Sequence, residues 1–243
     1  MMRKRQIPLR IINRLVRGLH ENLIFGKKSS GDTFLSIYKH NYWGDTESVS
    51  GPGSTLKYTD HIRTEIPKIL SRFQVTSMID APCGDMNWMS HILNTYPISY
   101  IGGDIVPDLI VRNRRDFENP STEFANFDVT KDKFPNVDLW LCRALFFHLS
   151  NREIYLALSN FANSQIKYML VTNHSTEDDF VNIDIATGDW RLLDLMKSPF
   201  NFPRTFLAEI DDFIEPFPPS TLTLWPREQI AKLLPSLKSA LDL

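Results

Sequence analysis

The chain has 243 residues, 42% of them hydrophobic, and a formal charge of -2 at pH 7. That length and apolar content suit one large α/β domain, and the near-neutral balance excludes a global electrostatic pull toward nucleic acid. Two cysteines, Cys83 and Cys142, exclude a disulfide framework, no run is apolar and long enough to cross a bilayer, and the start lacks a secretory signal, so a cytoplasmic protein with reduced thiols is expected.

The chain opens on Arg3, Lys4, Arg5, Arg10, Arg14 and Arg17, with no acid before Glu21. Leu9, Ile12, Leu15, Val16 and Leu19 recur between them at helical spacing, which predicts a basic amphipathic segment over residues 1–35 ahead of a main domain over 36–243. Four readings of that segment stay open: a peripheral anchor on an anionic membrane, a dock for an acidic partner such as a glycosyltransferase, a helix packed on the domain with solvated arginines, and an organelle transit peptide. Trp43 to Ser54, rich in small hydroxyl residues around Gly51, Pro52 and Gly53, has loop chemistry, and Tyr42 and Trp43 favour a loop that wraps something. Ile62, Ile66, Ile69 and Leu70 then mark a helix within Leu56 to Phe73, with Thr59 or Asp60 as cap and Pro67 as a kink or break.

Met78 to Trp88, M-I-D-A-P-C-G-D-M-N-W, reads as a strand, a tight loop and a helix N-terminus. Such a junction aims backbone N–H groups and the positive end of a helix dipole beyond the strand, and Gly84 lets a ligand approach the main chain. Tyr96 to Ile105 gives a second strand ending at Asp104, some twenty residues on, where dinucleotide-binding sheets place the carboxylate that accepts from ribose hydroxyls. A helix around Val106 to Arg115 follows, then a third strand end near Asp128, a fourth strand over Val137 to Arg143 and a fifth over Tyr168 to Asn173. The alternation implies a parallel sheet with helices on both faces and ligands at the carboxyl ends of its strands. Leu222, Leu224 and Trp225 suit a late antiparallel strand before a helix over Arg227 to Leu234.

D-A-P-C-G-D, followed by G-G-D-I, F-D-V-T and D-L-W-L-C-R, resembles the class I S-adenosylmethionine-dependent methyltransferases. The resemblance implies an α/β, Rossmann-like fold: a mostly parallel seven-stranded sheet with helices on both faces and a late antiparallel strand. More narrowly, W-G-D-T-E-S-V-S-G-P-G-S, D-A-P-C-G-D-M-N-W-M and N-I-D-I-A-T-G-D-W-R-L-L-D-L with S-P-F-N-F-P are similar to a subgroup associated with polysaccharide biosynthesis. That similarity implies methyl transfer from S-adenosyl-L-methionine to a hydroxyl of a sugar or glycan precursor. The alternatives are another small-molecule or protein acceptor, and a non-catalytic module that binds cofactor or glycan within an assembly complex.

In that frame Asp80, Ala81, Pro82, Cys83, Gly84 and Asp85 face the methionine portion of the cofactor, with Asp80 or Asp85 pairing with its amino group. Asp104 takes the ribose, Ile105 packs on adenine, and Asp128 accepts from the adenine amino group beside Phe127; Trp43, Ser50, Gly51, Ser54, Trp88 and Arg143 complete the contacts. The competing readings are a helix cap for Asp80 and a turn role for Asp128 before Thr130. The single glycine of the loop, with Pro82 and Cys83 where a dinucleotide motif wants more, makes poor provision for a pyrophosphate, so a cationic methyl donor suits the flanking carboxylates better than NAD.

A sugar hydroxyl must lose its proton, and a positioned general base contributes about 10²–10⁴-fold, most often as His. His148, in R-A-L-F-F-H-L-S after the fourth strand, and His174, in V-T-N-H-S after the fifth, are the candidates, with Asp184 and Arg143 as further catalytic residues. The family often carries an acid where this chain has Ala144, which argues against a metal or carboxylate base there, and no metal is expected. Val181 to Pro203 is the expected acceptor wall, because Asn182, Asp184, Trp190 and Arg191 combine hydrogen-bonding groups with an aromatic plate for a sugar's C–H face. The competing reading is a structural hairpin with Trp190 in the core and Arg191 paired with Asp194 or Asp184.

Overall fold

The computed structural model describes residues 29–243, so the basic stretch through residue 28 lies outside it. Helix α1 (Ser30–Lys39) starts at Ser29, whose side chain accepts from the Asp32 backbone N–H, and buries Phe34 and Ile37. The expected boundary between residues 35 and 36 therefore falls inside a helix that packs on the main core. Helix α2 (Asp60–Arg72) buries Ile62, Ile66, Ile69 and Leu70, as their spacing predicts, and continues through Pro67 without a break. The helix dispenses with the one N–H that Pro67 lacks, while its four buried side chains hold the turn in place.

The sheet consists of β1 (Ser77–Asp80), β2 (Ser99–Asp104), β3 (Thr122–Asn126), β4 (Leu139–Cys142), β5 (Tyr168–His174), β6 (Ala208–Asp211) and β7 (Ser220–Pro226). Their order is β3-β2-β1-β4-β5-β7-β6, and β7 alone runs against its neighbours. This is the expected mostly parallel seven-stranded sheet with a late antiparallel strand. Edge strand β6, A-E-I-D, buries only Ile210, too little pattern to read from sequence. The central strands are apolar on both faces: Ile79, Trp140 and Met169 enter one core, and Met78, Leu139 and Leu170 the other. The first core is closed by α1, by α5 (Asn151–Ala162) with Ile154, Leu158 and Phe161, and by α6 (Arg227–Ala240) with Ile230 and Leu237. The second is closed by α2 and by α3 (Met89–Leu93). Helix α4 (Pro107–Phe117) wraps the β2 edge, placing Leu109 in one core and Ile110 in the other.

One expectation fails locally. The helix predicted from Asn87 begins only at Met89 and lasts five residues, and its N-cap position, Trp88, makes no side-chain capping bond. Residues 84–88 are turns, with Gly84 and Met86 both at positive φ, so no helix dipole points from that loop.

The strand order reverses at β1, which lies between β2 and β4, so the carboxyl ends of these three strands form the crevice where such sheets bind ligands. At their opposite ends a single carboxylate sets the register. Asp138 Oδ2 accepts from the backbone and hydroxyl groups of both Thr76 and Ser77, and Oδ1 meets Lys167 Nζ at 2.7 Å. Burial raises this carboxyl's pKa, but Lys167, Thr76 and Ser77 outweigh it and hold the group well below the usual carboxylate range. A carboxyl held low adds stability above its unfolded pKa, near ~3.9, and loses that stability as pH falls through the folded value. Asp138→Asn is therefore expected to cost about 1–2 kcal/mol in urea unfolding at pH 7, a figure discounted for the solvated Lys167, with the gap closing toward pH 2. Equal midpoints at pH 7 would remove Asp138 from this role.

Candidate active site

The carboxyl ends of β1, β2 and β4 open into a cleft of about 810 Å³, counting the space continuous with solvent. The loop Pro82–Asp85 and Asp104 form its floor, while Ile105, Val106 and Leu109 make one side apolar. Phe34 and Tyr38 of α1, together with Trp43, Val49, Ser50 and Ser54, cover it; Trp88, Arg143, Ala144, Leu145 and His148 line the side beyond β4.

Gly84 sits at φ +57°, and a Cβ there would lie 2.2 Å from Ser50 Oγ, so a side chain would displace the covering loop. Its N–H donates to Asp104 Oδ2 at 3.1 Å, and its carbonyl accepts from Asn113 Nδ2 of α4 at 2.7 Å. The glycine and the carboxylate twenty residues later are thus joined directly. Asp104 Oδ1 also accepts from the Val106 N–H at 2.9 Å, and each oxygen keeps a further lone pair for a ligand. Burial pushes the Asp104 carboxyl up to about 6, against the pull of the Val106 and Gly84 N–H groups.

The two carboxylates expected to meet a ligand's amino group are bonded within the protein. Asp85 accepts from Ser48 Oγ at 2.9 Å, Val49 N at 2.9 Å and Asn87 N at 3.3 Å, which straps residues 48–50 onto the loop after β1. Asn87 Nδ2 adds bonds to Ser54 O at 3.0 Å and Glu47 Oε1 at 2.8 Å. Asp80 is 2% exposed, lies behind the cleft and accepts from the Tyr100 hydroxyl at 2.8 Å, while its Oδ1 has no partner. Burial pushes it up to about 8, partly offset by the Tyr100 bond, which favours the neutral acid at pH 7.

Arg143 lies between the rings of Trp88 and Tyr58, 5.2 and 5.8 Å from their centroids. Its Nε and Nη2 each donate to Asp212 at 2.8 Å, and Nη2 also donates to the Gly53 carbonyl at 2.7 Å. It reaches the cleft as a clamped cation that holds the covering loop. Asp212, 69 residues away in sequence, carries no motif that could have announced it.

Of the other expected cofactor contacts, Ala81 and Phe127 belong to the core, and Gly51, at φ +91°, lies behind Trp43. Asp128 accepts from Thr130 N at 2.9 Å and pairs with Lys131 at 2.8 Å, so its turn role is the one the structure has. The lining residues Phe34, Tyr38, Val49, Val106, Leu109 and Leu145 were not singled out from sequence, because apolar spacing signals burial and not which cavity a side chain borders.

His148 ends a short 3-10 turn, Phe146–His148, on the cleft wall. Its Nδ1 is 2.8 Å from the Asp189 carbonyl, to which only an N–H can bond, so the neutral ring keeps its lone pair on Nε2. The ring lies 5.5 Å from that of Trp43. His174 is 5% exposed, outside the cleft, with Nδ1 3.3 Å from the Leu193 backbone, and burial pushes it down to about 4. It does not face the cleft as a base would.

The expected acceptor wall is not assembled around the cleft either. Asn182 is buried and ties the Asp194 and Ser198 backbones at 2.8 and 2.9 Å. Arg191, 3% exposed, donates to Asn151 Oδ1 and the Leu149 carbonyl at 2.8 Å each and to the Ile183 carbonyl; burial pushes its pKa down to about 10. Asp184 accepts from the Asn151 N–H at 2.7 Å at the start of α5 and lies 3.6 Å from Arg191. Trp190 remains 38% exposed. No strand forms between β5 and β6, so the segment is a braced loop and not a hairpin.

No family model and no curated protein matches this sequence. Solved structures do. Human N-acetylserotonin methyltransferase in complex with SAM is 14% identical with a TM-score of 0.53, over 88% of this chain and 67% of that one. Magnesium protoporphyrin IX methyltransferase from Synechocystis PCC 6803, with bound SAH, is 10% identical with a TM-score of 0.56, over 81% and 97%. PigF with SAH is 12% identical with a TM-score of 0.60, over 89% and 69%. The fold is therefore the Rossmann-like fold of class I methyltransferases.

The buried Asp80 makes a pH prediction. An acid whose folded pKa is raised contributes stability that is fully present below its unfolded pKa and is lost as pH rises through the folded value. Asp80→Asn removes that titration, so the stability of the variant relative to wild type should rise between pH 5 and pH 9 by on the order of 2–5 kcal/mol in chemical denaturation. A constant difference across that range would show that Asp80 does not titrate in the folded protein.

Proposed function

We propose that this chain is an S-adenosylmethionine-dependent O-methyltransferase acting on a hydroxyl of a sugar or glycan precursor. The observation that carries the cofactor reading is the Gly84–Asp104 hydrogen bond at the crevice between β1 and β2. The donor set around it fits the group: Asp104 has lone pairs for ribose hydroxyls, and Ile105, Val106 and Leu109 offer an apolar slot for the adenine. Gly84 lets Ser50 of the covering loop close onto the main chain at the cleft floor, where the methionine portion would lie. When bound, S-adenosylmethionine supplies an electrophilic methyl group on a sulfonium.

The chain's own contribution is to place the acceptor hydroxyl and to remove its proton. Nε2 of His148 is the basic nitrogen on the cleft wall, and the Asp189 carbonyl both fixes the ring and stabilises the imidazolium that forms. Ala144, between Arg143 and His148, is small enough to leave room for an acceptor. The glycan acceptor is supported by the three sequence segments and by Trp190, whose exposed ring stands beside Phe147 at 6.5 Å and so close to His148. The solved neighbours carry the names of other acceptors and support the methyl transfer alone.

Calorimetry with S-adenosylhomocysteine should detect binding to wild type, and Asp104→Ala should weaken it by about 1–3 kcal/mol through unpaired ribose hydroxyls. No binding by wild type at high micromolar concentration would overturn the cofactor reading. His148→Ala should slow transfer from labelled cofactor to a glycan or sugar-nucleotide acceptor by about 10²–10⁴-fold while leaving that binding intact. Undiminished turnover would exclude His148 as the base, and transfer confined to peptide or lipid acceptors would exclude the glycan.

A further inference from the structure

The ring of His148 is only as well placed as the Asp189 carbonyl that holds it, and that carbonyl belongs to a loop without a strand of its own. Residues 186–189 form a turn, closed by the Asp189 N–H on the Ala186 carbonyl at 3.1 Å. From the turn the chain runs beside the His148 segment. Gly188 N donates to the His148 carbonyl at 2.8 Å, and Arg191 N donates to the Phe147 carbonyl at 3.2 Å. Where the turn sits therefore decides where the Asp189 carbonyl points.

The turn is bound to the start of α5, two residues beyond His148. Ser150 caps that helix: its Oγ accepts from the Glu153 N–H at 3.3 Å and donates to the Glu153 carboxylate at 3.2 Å. In an ordinary capping box the carboxylate would itself accept from the N–H of the capping residue. Here the Thr187 hydroxyl stands between the two, accepting from Ser150 N at 3.0 Å and donating to the Glu153 carboxylate. Ser30 Oγ of α1 donates to the same carboxylate. Gly188, at φ +102°, completes the fit against that helix, since a Cβ there would lie 2.5 Å from Thr33 Cγ2. Hydroxyls from three separate pieces of chain, Ser30, Ser150 and Thr187, thus end on one carboxylate. Neither Glu153 nor Thr187 borders the cleft.

We propose that Glu153 and Thr187 are positioning residues for His148. The carboxylate pins the Thr187 hydroxyl, the pinned turn presents the Asp189 carbonyl to Nδ1, and the neutral ring is kept as the Nδ1–H tautomer with its basic nitrogen at Nε2. A neutral imidazole has two tautomers, and only this one can both bond a carbonyl at Nδ1 and take a proton at Nε2. A turn free to shift would leave the ring to choose between them. The catalytic consequence of this role rests on the reading of His148 as the base; the geometric one does not.

The test is the tautomer of His148 in the full-length chain, read by NMR of the ring nitrogens in protein labelled at histidine, at a pH where the ring is neutral. Signals of His148 are assigned from their loss in His148→Gln. Wild type should carry the proton on Nδ1. Thr187→Val, which keeps the branched shape and removes the hydroxyl, should populate both tautomers, as should Glu153→Ala; Thr187→Ser, which restores the hydroxyl, should return the wild-type pattern. The ring of His174, bonded to the Leu193 backbone on the other side of Phe147, should be unchanged in all of them. With labelled cofactor and a glycan acceptor, Thr187→Val should lower kcat by up to about 10²-fold and leave KM in place. A wild-type tautomer in both Thr187→Val and Glu153→Ala would overturn the proposal. So would equal shifts in Thr187→Ser and Thr187→Val, or a joint shift of His174, the mark of a loop loosened throughout. The tautomer is read without cofactor or acceptor, so its failure is told apart from failure of the catalytic reading.

Discussion

The buried ion pair between Arg143 and Asp212 is the constraint on which the cleft depends. Their side chains are 5% and 3% exposed, and taking both charges out of water costs several kcal/mol per ion unless the geometry is good and the remaining hydrogen-bonding groups are met. Here two parallel hydrogen bonds, the Gly53 carbonyl and the faces of Trp88 and Tyr58 meet that requirement. Burial still pushes Asp212 up against the pull of Arg143, and burial followed by the charge of Asp212 pushes Tyr58 up to about 12, so the phenol stays neutral. The pair joins three pieces of chain far apart in sequence: the end of β4, the residue after β6 and the covering turn at Pro52–Ser54. A hydrophobic pair of equal volume would fill the space without fixing where Gly53 sits.

Four buried aspartates, Asp80, Asp85, Asp104 and Asp212, lie at or beyond strand ends, and their neighbours sort them into different tasks. Asp212 balances Arg143, Asp85 is occupied by the N–H and hydroxyl groups of the covering loop, and Asp80 favours its neutral form. Only Asp104 combines a place on the cleft with lone pairs left over. Position alone could not separate them, since all four lie at or shortly after the end of a strand and all four are almost fully buried.

That sorting explains how much was legible in the sequence. The strands, their alternation with helices and the carboxylate at Asp104 were readable because each depends on local pattern: apolar runs, turn residues and an interval fixed by one βαβ unit. The bonds that fill Asp85 were not legible, because they come from Ser48 and Val49, more than thirty residues earlier. Asn182 and Arg191 look like sugar ligands by residue type, yet they spend their hydrogen bonds on backbone carbonyls and, for Arg191, on the Asn151 side chain, a choice made by the loop's path and invisible in composition. Asp128 went the same way, to Thr130 and Lys131 only two and three residues on, where a turn competes with a ligand on equal chemical terms. Helix α3 fell short because Met86 takes a positive φ, which no residue type there announces.

The strap over the cleft also has a temporal meaning. Ser48, Val49 and Asn87 converge on one carboxylate, Asp85, so residues 48–50 are held by bonds that share a single anchor, while Arg143 and Asn87 hold Gly53 and Ser54. Bonds that share an anchor tend to open together, and opening is then a discrete event and not a gradual fraying. A molecule enclosed beneath such a strap leaves at the frequency of that event, however strongly or weakly it is bound once the strap is open. In this architecture the opening of residues 48–50 is governed at Asp85, a residue of the cleft floor.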